Sequence, residues 1–268
     1  MLLKEVDYER PASVDEALQL LAADENARPL AGGQTLINVM KQRAASPDVL
    51  VDLAELEELT TITAAADGGL ELGSMVTLAQ LVSSREVAER RPLLAGVASR
   101  VADVQVRNRG TVGGNVCSND PTNHLPPFAV AARATMTIAG AGGHRVVPAE
   151  EFFLGVYMTA VGPGELLTKV TLPPAGGSAD GFASVTIGAD GTGIVNVAAT
   201  VDGEARIAIG CVAAVPVLVT CAPDEQSVRE SVRAAELDPP SDVHGSGEYR
   251  RHLAEVLAVR AVEQAGSA

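Results

Sequence analysis

The stretch RNRGTVGGNVCSNDPTNHLPP, from Arg107 to Pro127, decides how this chain is read, together with the shorter PLAGGQTLINVMK, from Pro29 to Lys41. Each carries a Gly-Gly pair among small or hydroxyl residues, with apolar stretches nearby. Glycine permits positive φ and lets a ligand approach the main chain without meeting a Cβ. Exposed N–H groups at such a turn make an anion-binding concavity, above all where a helix starts just after it. A single Gly-Gly pair reads most simply as a tight turn between strands. Two pairs about eighty residues apart, one flanked by Thr111 and Asn115 and the other followed by Gln34-Thr35, point instead to a ligand site. There two turns would clamp a pyrophosphate from opposite sides.

The 268 residues suffice for two or three cores. With 47% hydrophobic and 20% charged residues the chain is globular. Aromatics make up 3% and Trp is absent, so the core is aliphatic and few faces are available for stacking bases. A net charge of −14 argues against nucleic acid or anionic membrane as a partner. No apolar run approaches the ~20 residues of a spanning helix. MLLKEVDYERP has no signal-peptide pattern, so a cytoplasmic protein is expected. Cys117, Cys211 and Cys221 are widely spaced and form no CxxC, which argues against zinc or iron–sulfur ligation. They are expected to be inert thiols.

Leu2, Leu3, Val6 and Tyr8 suggest a first strand within 2–9. Ser13 with Glu16 has capping-box spacing before an apolar helical face. A brief strand at 28–31 then delivers Gly32-Gly33, and Thr35 is expected to cap a helix over Leu36, Ile37, Val39 and Met40. With the strand at 49–53, residues 1–57 read as a β-α-β-α-β unit. A hairpin follows at 59–72 around Asp67-Gly68-Gly69. Next come a helix capped by Thr77, a second apolar helix at 92–102, and the central stretch, whose prolines 121, 126 and 127 limit regular structure. Further on lie a helix in PPFAVAARA, a hairpin at 135–147 and a strand at 166–172. The segment 175–180 reads as a linker. Three strands at 182–187, 194–201 and 205–212 form a meander, with a hairpin turn at Gly188, Gly191 and Gly193. A helix capped by Asp224 or Ser227 and a last helix at 248–264 close the chain.

AGGQTLINVMK at 31–41 and RNRGTVGGNVCSNDP at 107–121 resemble the FAD-binding (medium) subunit of molybdenum-containing hydroxylases, the carbon monoxide dehydrogenase and xanthine dehydrogenase family. YERPASVDEALQLL, GELLTKVTLP and EYRRHLAEVLAVRAVEQA look like their counterparts there, so the resemblance spans nearly the whole chain. It implies an α+β fold: a two-part FAD-binding domain of the vanillyl-alcohol-oxidase-like type (1–57 and 58–174), then a C-terminal three-stranded sheet with helices (178–268). Carried over, Leu30, Ala31, Gly32, Gly33, Gln34 and Thr35 with Thr111, Val112, Gly113, Gly114 and Asn115 would hold the pyrophosphate. Leu36 would lie close to the cofactor, Val101 would contact adenine, and Leu167 would approach the isoalloxazine. Ser118, Asn119, Asp120 and His124 would line the second loop. The resemblance further implies a molybdopterin-binding large subunit and a 2Fe-2S small subunit as partners.

Three departures stand out. His124 occupies a position usually held by an acid; it reads either as a cofactor contact or as an exposed loop histidine. No Lys or Arg falls between Phe182 and Val201, where the family often has one facing the flavin. Gln34 replaces His, Thr or Ser. Besides an electron-transfer subunit, two readings follow. One is a stand-alone flavoenzyme with His124 or Tyr157 moving protons. The other is a degenerate assembly subunit that lacks the cofactor.

Overall fold

The structure is a computed structural model and describes residues 3–188 and 191–267. Leu2 of the expected first strand, and the hairpin-turn residues 189 and 190, lie outside the described residues.

A small parallel sheet orders Asp7–Glu9, Val49–Asp52 and Arg28–Leu30, with Val49–Asp52 in the middle. The first strand is shorter than 2–9, because only Asp7, Tyr8 and Glu9 find partners. The helix Val14–Ala23 buries Val14, Ala17 and Leu21 against Val51, Leu53 and Leu56. Its cap follows the expectation in part. Ser13 Oγ accepts from Glu16 N at 3.2 Å, but the Glu16 carboxylate turns to Ala12 N at 2.7 Å rather than to Ser13.

An antiparallel five-stranded sheet follows, in the order Ile62–Ala64, Leu70–Gly73, Leu166–Leu172, Thr135–Gly140, Gly143–Pro148. Leu166–Leu172 returns late to fill the centre, pairing Val170 with both Leu72 and Met136. Thr77 forms a full capping box with Gln80 at the helix Leu78–Ser83. Three further helices follow: Arg85–Arg90, Pro92–Ser99 and Val104–Arg109. Next come Val112–Ser118 and Leu125–Ala131.

The central stretch is thus more helical than its prolines suggest. Asp103 caps one helix and Thr111 the next. Pro121 lies beyond both. Pro126 and Pro127 fall in the first turn of Leu125–Ala131, where a missing N–H costs no intrahelical bond.

The last sheet has four strands rather than three: Ala179–Ile187, Thr192–Asp202, Glu204–Gly210 and Val217–Cys221. Val217–Cys221 is a half-buried edge strand starting just after Pro216, a place where proline is tolerated. Thr192–Asp202 is covered on both faces, so its interior reads as a near-continuous apolar run. Val195, Val197 and Ala199 pack towards the helix Gly247–Gly266, while Ala198 joins Phe182, Ala208 and the helix Leu125–Ala131. Asp224 Oδ1 caps the helix Glu225–Ala234 through Ser227 N.

A buried ion pair ties the last sheet to the helices before it. Arg91 Nη1 donates to both carboxylate oxygens of Asp180, at 2.9 and 2.8 Å, and Arg91 Nη2 donates to Pro173 O at 3.0 Å. Thr200 Oγ1 adds a bond to Asp180 at 2.7 Å. No helix among the described residues is long and apolar enough to cross a membrane.

Candidate functional site

The first Gly-Gly segment leaves the carboxyl end of Arg28–Leu30 and enters the helix Leu36–Lys41. Its two glycines do different work. Gly33 has φ +71°, the left-handed conformation that favours glycine, whereas Gly32 is needed for closeness. A Cβ on Gly32 would lie 1.9 Å from the Arg109 carbonyl oxygen. Gln34 Nε2 donates to Gly32 O at 3.0 Å and Asn38 Nδ2 to Gln34 O at 2.7 Å. Thr35 makes no side-chain cap, because its backbone is already helical, with φ −99° and ψ −55°. Among the described residues the N–H groups of Gly32, Gly33, Gln34 and Thr35 donate to no protein acceptor.

The second segment is not a turn. Gly113 and Gly114 lie within the first turn of the helix Val112–Ser118 and have no positive φ. Gly113 is required by packing, since a Cβ there would meet Ser74 O at 2.7 Å. Its amides are already engaged. Val112 N donates to Val76 O, Gly113 N to Ser74 O, Gly114 N to Thr111 Oγ1 and Asn115 N to Thr111 O, all at 2.8–3.0 Å. The two segments do meet: besides Gly32 against Arg109, a Cβ on Gly114 would be 3.7 Å from Ala31 Cβ. So two Gly-Gly turns offering N–H groups from both sides is corrected to one offering amides and one pressed against it. Within the second segment Asn115 Oδ1 is a buried acceptor without a partner among the described residues.

A cavity of about 280 Å3 opens beside the first segment, lined by Leu30, Ala31, Gly32, Gly33 and Gln34, with Ile37, Asn38, Lys41, Asp52 and Arg109. The last five were not foreseen. Ile37, Asn38 and Lys41 were nevertheless legible, because with Gln34 they share one helix face by 3- and 4-residue spacing. Asp52 ends the neighbouring parallel strand, on the edge where open sheets bind ligands. Thr35 and Leu36 are not among the residues that line this cavity.

The remaining expected residues are placed elsewhere. Ser118 Oγ donates to Asn115 O at 2.9 Å and accepts from Asn123 Nδ2 at 3.1 Å. Asn119, with φ 38°, is buried, and its Nδ2 donates to Gly155 O at 2.7 Å. Asp120 accepts from Thr122 N at 2.9 Å and from Tyr157 OH at 3.2 Å. Asn119 and Asp120 therefore anchor the hairpin Phe153–Thr159. Val101 is partly buried, and its carbonyl accepts from Arg107 at 3.0 Å. Leu167 is buried in the central strand.

His124 is not an exposed loop residue: it is 2% exposed. Its ring packs 5.4 Å from that of Phe182. The Asn196 amide lies 3.1 Å from Nδ1, so Nδ1 accepts and the proton resides on Nε2, which has no partner. Burial, with a smaller contribution from Arg100, lowers its pKa to about 4, so it is neutral at pH 7. The segment after the linker lacks a cation of its own, yet the Arg100 guanidinium stands 5.4 Å over the Phe182 ring. The free thiols of Cys117 and Cys211 are both pushed up to about 12 by burial and are poor nucleophiles.

The amides of Gly32, Gly33 and Gln34, which have no protein acceptor among the described residues and belong to residues lining the cavity, fit a dinucleotide cofactor whose phosphates need N–H donors. The family model described as the FAD binding domain in molybdopterin dehydrogenase matches residues 4–175, and the CO dehydrogenase flavoprotein C-terminal domain matches residues 182–265. The carbon monoxide dehydrogenase medium chain of Afipia carboxidovorans is 37% identical over 277 residues, covering 97% of this chain and 96% of that protein. The nicotine 6-hydroxylase medium subunit of Paenarthrobacter nicotinovorans is 33% identical, covering 100% of this chain and 99% of its own length. A chain of reconstituted CO dehydrogenase from Oligotropha carboxidovorans superposes with a TM-score of 0.94 at 33% identity, covering 100% of this chain and 99% of its own.

Fold and site define an FAD-binding flavoprotein of the oxidoreductase class. The chain belongs to the family of FAD-binding medium subunits of the molybdenum hydroxylases, the family resembled by its two Gly-Gly segments.

Proposed function

We propose that this chain is the electron-output subunit of a cytoplasmic molybdenum hydroxylase. A large subunit would carry molybdopterin and oxidise the substrate, and a small subunit would relay electrons through 2Fe-2S clusters. Bound FAD would supply the redox chemistry that links the clusters to an external acceptor. The protein's own task is to bind, orient and shield. The observation that carries this reading is the row of N–H groups from Gly32 to Gln34, without acceptors among the described residues and beside a cavity.

Those amides would take the pyrophosphate. Thr111, Val112, Gly113 and Gly114 would allow close approach through small size, and Asn115 would contribute its side chain. Leu36, Val101 and Leu167 would supply apolar contacts, with Ser118, Asn119, Asp120 and His124 shaping the second wall. The division into 1–57, 58–174 and 178–268 is supported by the sheets, none of which crosses from one part to another. Direct proton chemistry on a substrate finds little support. His124 is neutral and covered by Phe182, and Tyr157 is bonded to Asp120, with its pKa raised by burial and by that carboxylate.

The test is the absorption spectrum of the purified chain after incubation with FAD and desalting, alone and co-purified with its partners. Retained bands near ~370 and ~450 nm are the expected result for bound oxidised flavin. A folded complex that keeps no flavin would leave the degenerate-subunit reading in its place.

A further inference from the structure

The cavity beside Gly32 holds two charges that the fold does not use. Lys41 and Arg109 are exposed, and among the described residues neither makes an ion pair or donates a side-chain hydrogen bond. The cavity's acid, Asp52, is already engaged by Tyr8 OH and by Ala54 N at 3.0 Å. In a chain with 34 acidic and 20 basic residues, two basic side chains stand together at one cavity without an acidic partner among the described residues. They approach from different elements: Lys41 ends the helix Leu36–Lys41, and Arg109 ends the helix Val104–Arg109, its carbonyl against Gly32.

We infer that Lys41 and Arg109 are the counter-charges of the FAD diphosphate. The inference rests on the flavoprotein reading and goes beyond it, because it moves the charge-bearing contacts from backbone to side chains. A diphosphate brings two negative charges. The N–H groups of Val112, Gly113, Gly114 and Asn115 already donate within the protein, so the second segment brings no free backbone donor to balance that charge. An arginine fork suits two phosphate oxygens at once, and a lysine adds a mobile point charge.

The consequence is a cofactor held in a salt-dependent way. Screening by ions weakens exposed charge pairs, whereas contacts to the isoalloxazine are indifferent to salt. Flavin fluorescence titrations of the full-length chain, with FAD and with riboflavin as probes and at low and high sodium chloride, read both quantities. Lys41→Gln and Arg109→Gln are each expected to weaken FAD binding ~10-fold at low salt, and the double variant ~100-fold, with a flattened salt dependence. Riboflavin, which has no phosphate, should bind all forms alike, and the apo melting temperatures should coincide. Arg85→Gln, which removes an exposed cation paired with Glu89, serves as the control.

A double variant that binds FAD with wild-type affinity and salt slope overturns the inference and leaves the flavoprotein reading standing. Equal loss of riboflavin and FAD also overturns it, because the defect would then be structural. A wild-type chain that takes up no FAD, alone or with its partners, overturns both.

Discussion

Gly32 and the carbonyl of Arg109 lie in backbone-to-backbone contact, so the first Gly-Gly segment and the start of the second are locked together before any ligand arrives. A methyl group on Gly32 has nowhere to go, because its neighbours are main-chain atoms. Gly32→Ala is expected to lower stability by about 2–3 kcal/mol and to abolish flavin retention. Gly33→Ala is milder, about 1–2 kcal/mol, since its cost is the left-handed φ and a 3.3 Å approach to the Ile37 side chain. Urea unfolding and the flavin-to-protein absorbance ratio check both variants.

The Arg91–Asp180 pair is almost fully enclosed, with 3% and 7% of the two side chains exposed. Removing one partner strands the other in low dielectric. Arg91→Met alone should cost about 3–5 kcal/mol, while Arg91→Met combined with Asp180→Leu should recover most of that loss. A double-mutant cycle in urea reads the coupling. Additive losses would show that the pair does not act as a unit.

His124 makes stability depend on pH. Its ordinary pKa of 6.5 falls to about 4 on folding, because burial disfavours the charged ring. Between those values the unfolded chain binds a proton that the folded chain refuses. The stability is therefore complete above pH 6.5 and is lost progressively as pH falls towards 4. Roughly 2 kcal/mol should disappear between pH 7 and 5, at about 1.4 kcal/mol per unit inside the window. His124→Gln should flatten the urea midpoint over that range. An unchanged slope would show that other groups cause it.

Asn196 controls the loop that ends at His124. Its Nδ2 lies 3.4 Å from Thr122 O, 3.2 Å from Asn123 O and 3.1 Å from His124 Nδ1. Asn123 in turn donates to Asn115 O at 3.0 Å. Asn196→Ala should cost about 1–3 kcal/mol and loosen residues 119–124, seen as faster amide hydrogen exchange there. Protection unchanged in that loop would refute the coupling.

Much of this was legible in the sequence. Ser13, Thr77 and Asp224 mark helix starts because a short polar side chain must answer an orphan N–H, and the structure shows each bond. The strand Leu166–Leu172 keeps its expected bounds because its apolar pattern ends at two prolines. Val104–Arg109 and Val112–Ser118 were missed because Gly113, Gly114 and the prolines read as breakers. In the structure these glycines sit in a first helical turn, where packing against Ser74 outweighs their poor propensity. The glycine cradle was visible as backbone chemistry. Arg109 and Asp52 were not, since their convergence on the helix face of Lys41 depends on strand order and on a contact between distant segments. The same limit applied to His124, whose burial depends on Phe182 and Asn196, far along the chain.

Every residue of the helix Leu125–Ala131 is buried, and its cover includes Ala198 and Ala208 of the last sheet. During translation that helix leaves the ribosome well before its cover exists. Until the strand Glu204–Gly210 has been synthesised, the nascent chain carries a naked apolar surface, a target for chaperones and a seed for aggregation. Slow translation of residues 132–210 would prolong that exposure, so the yield of soluble protein should be governed by elongation speed across this window.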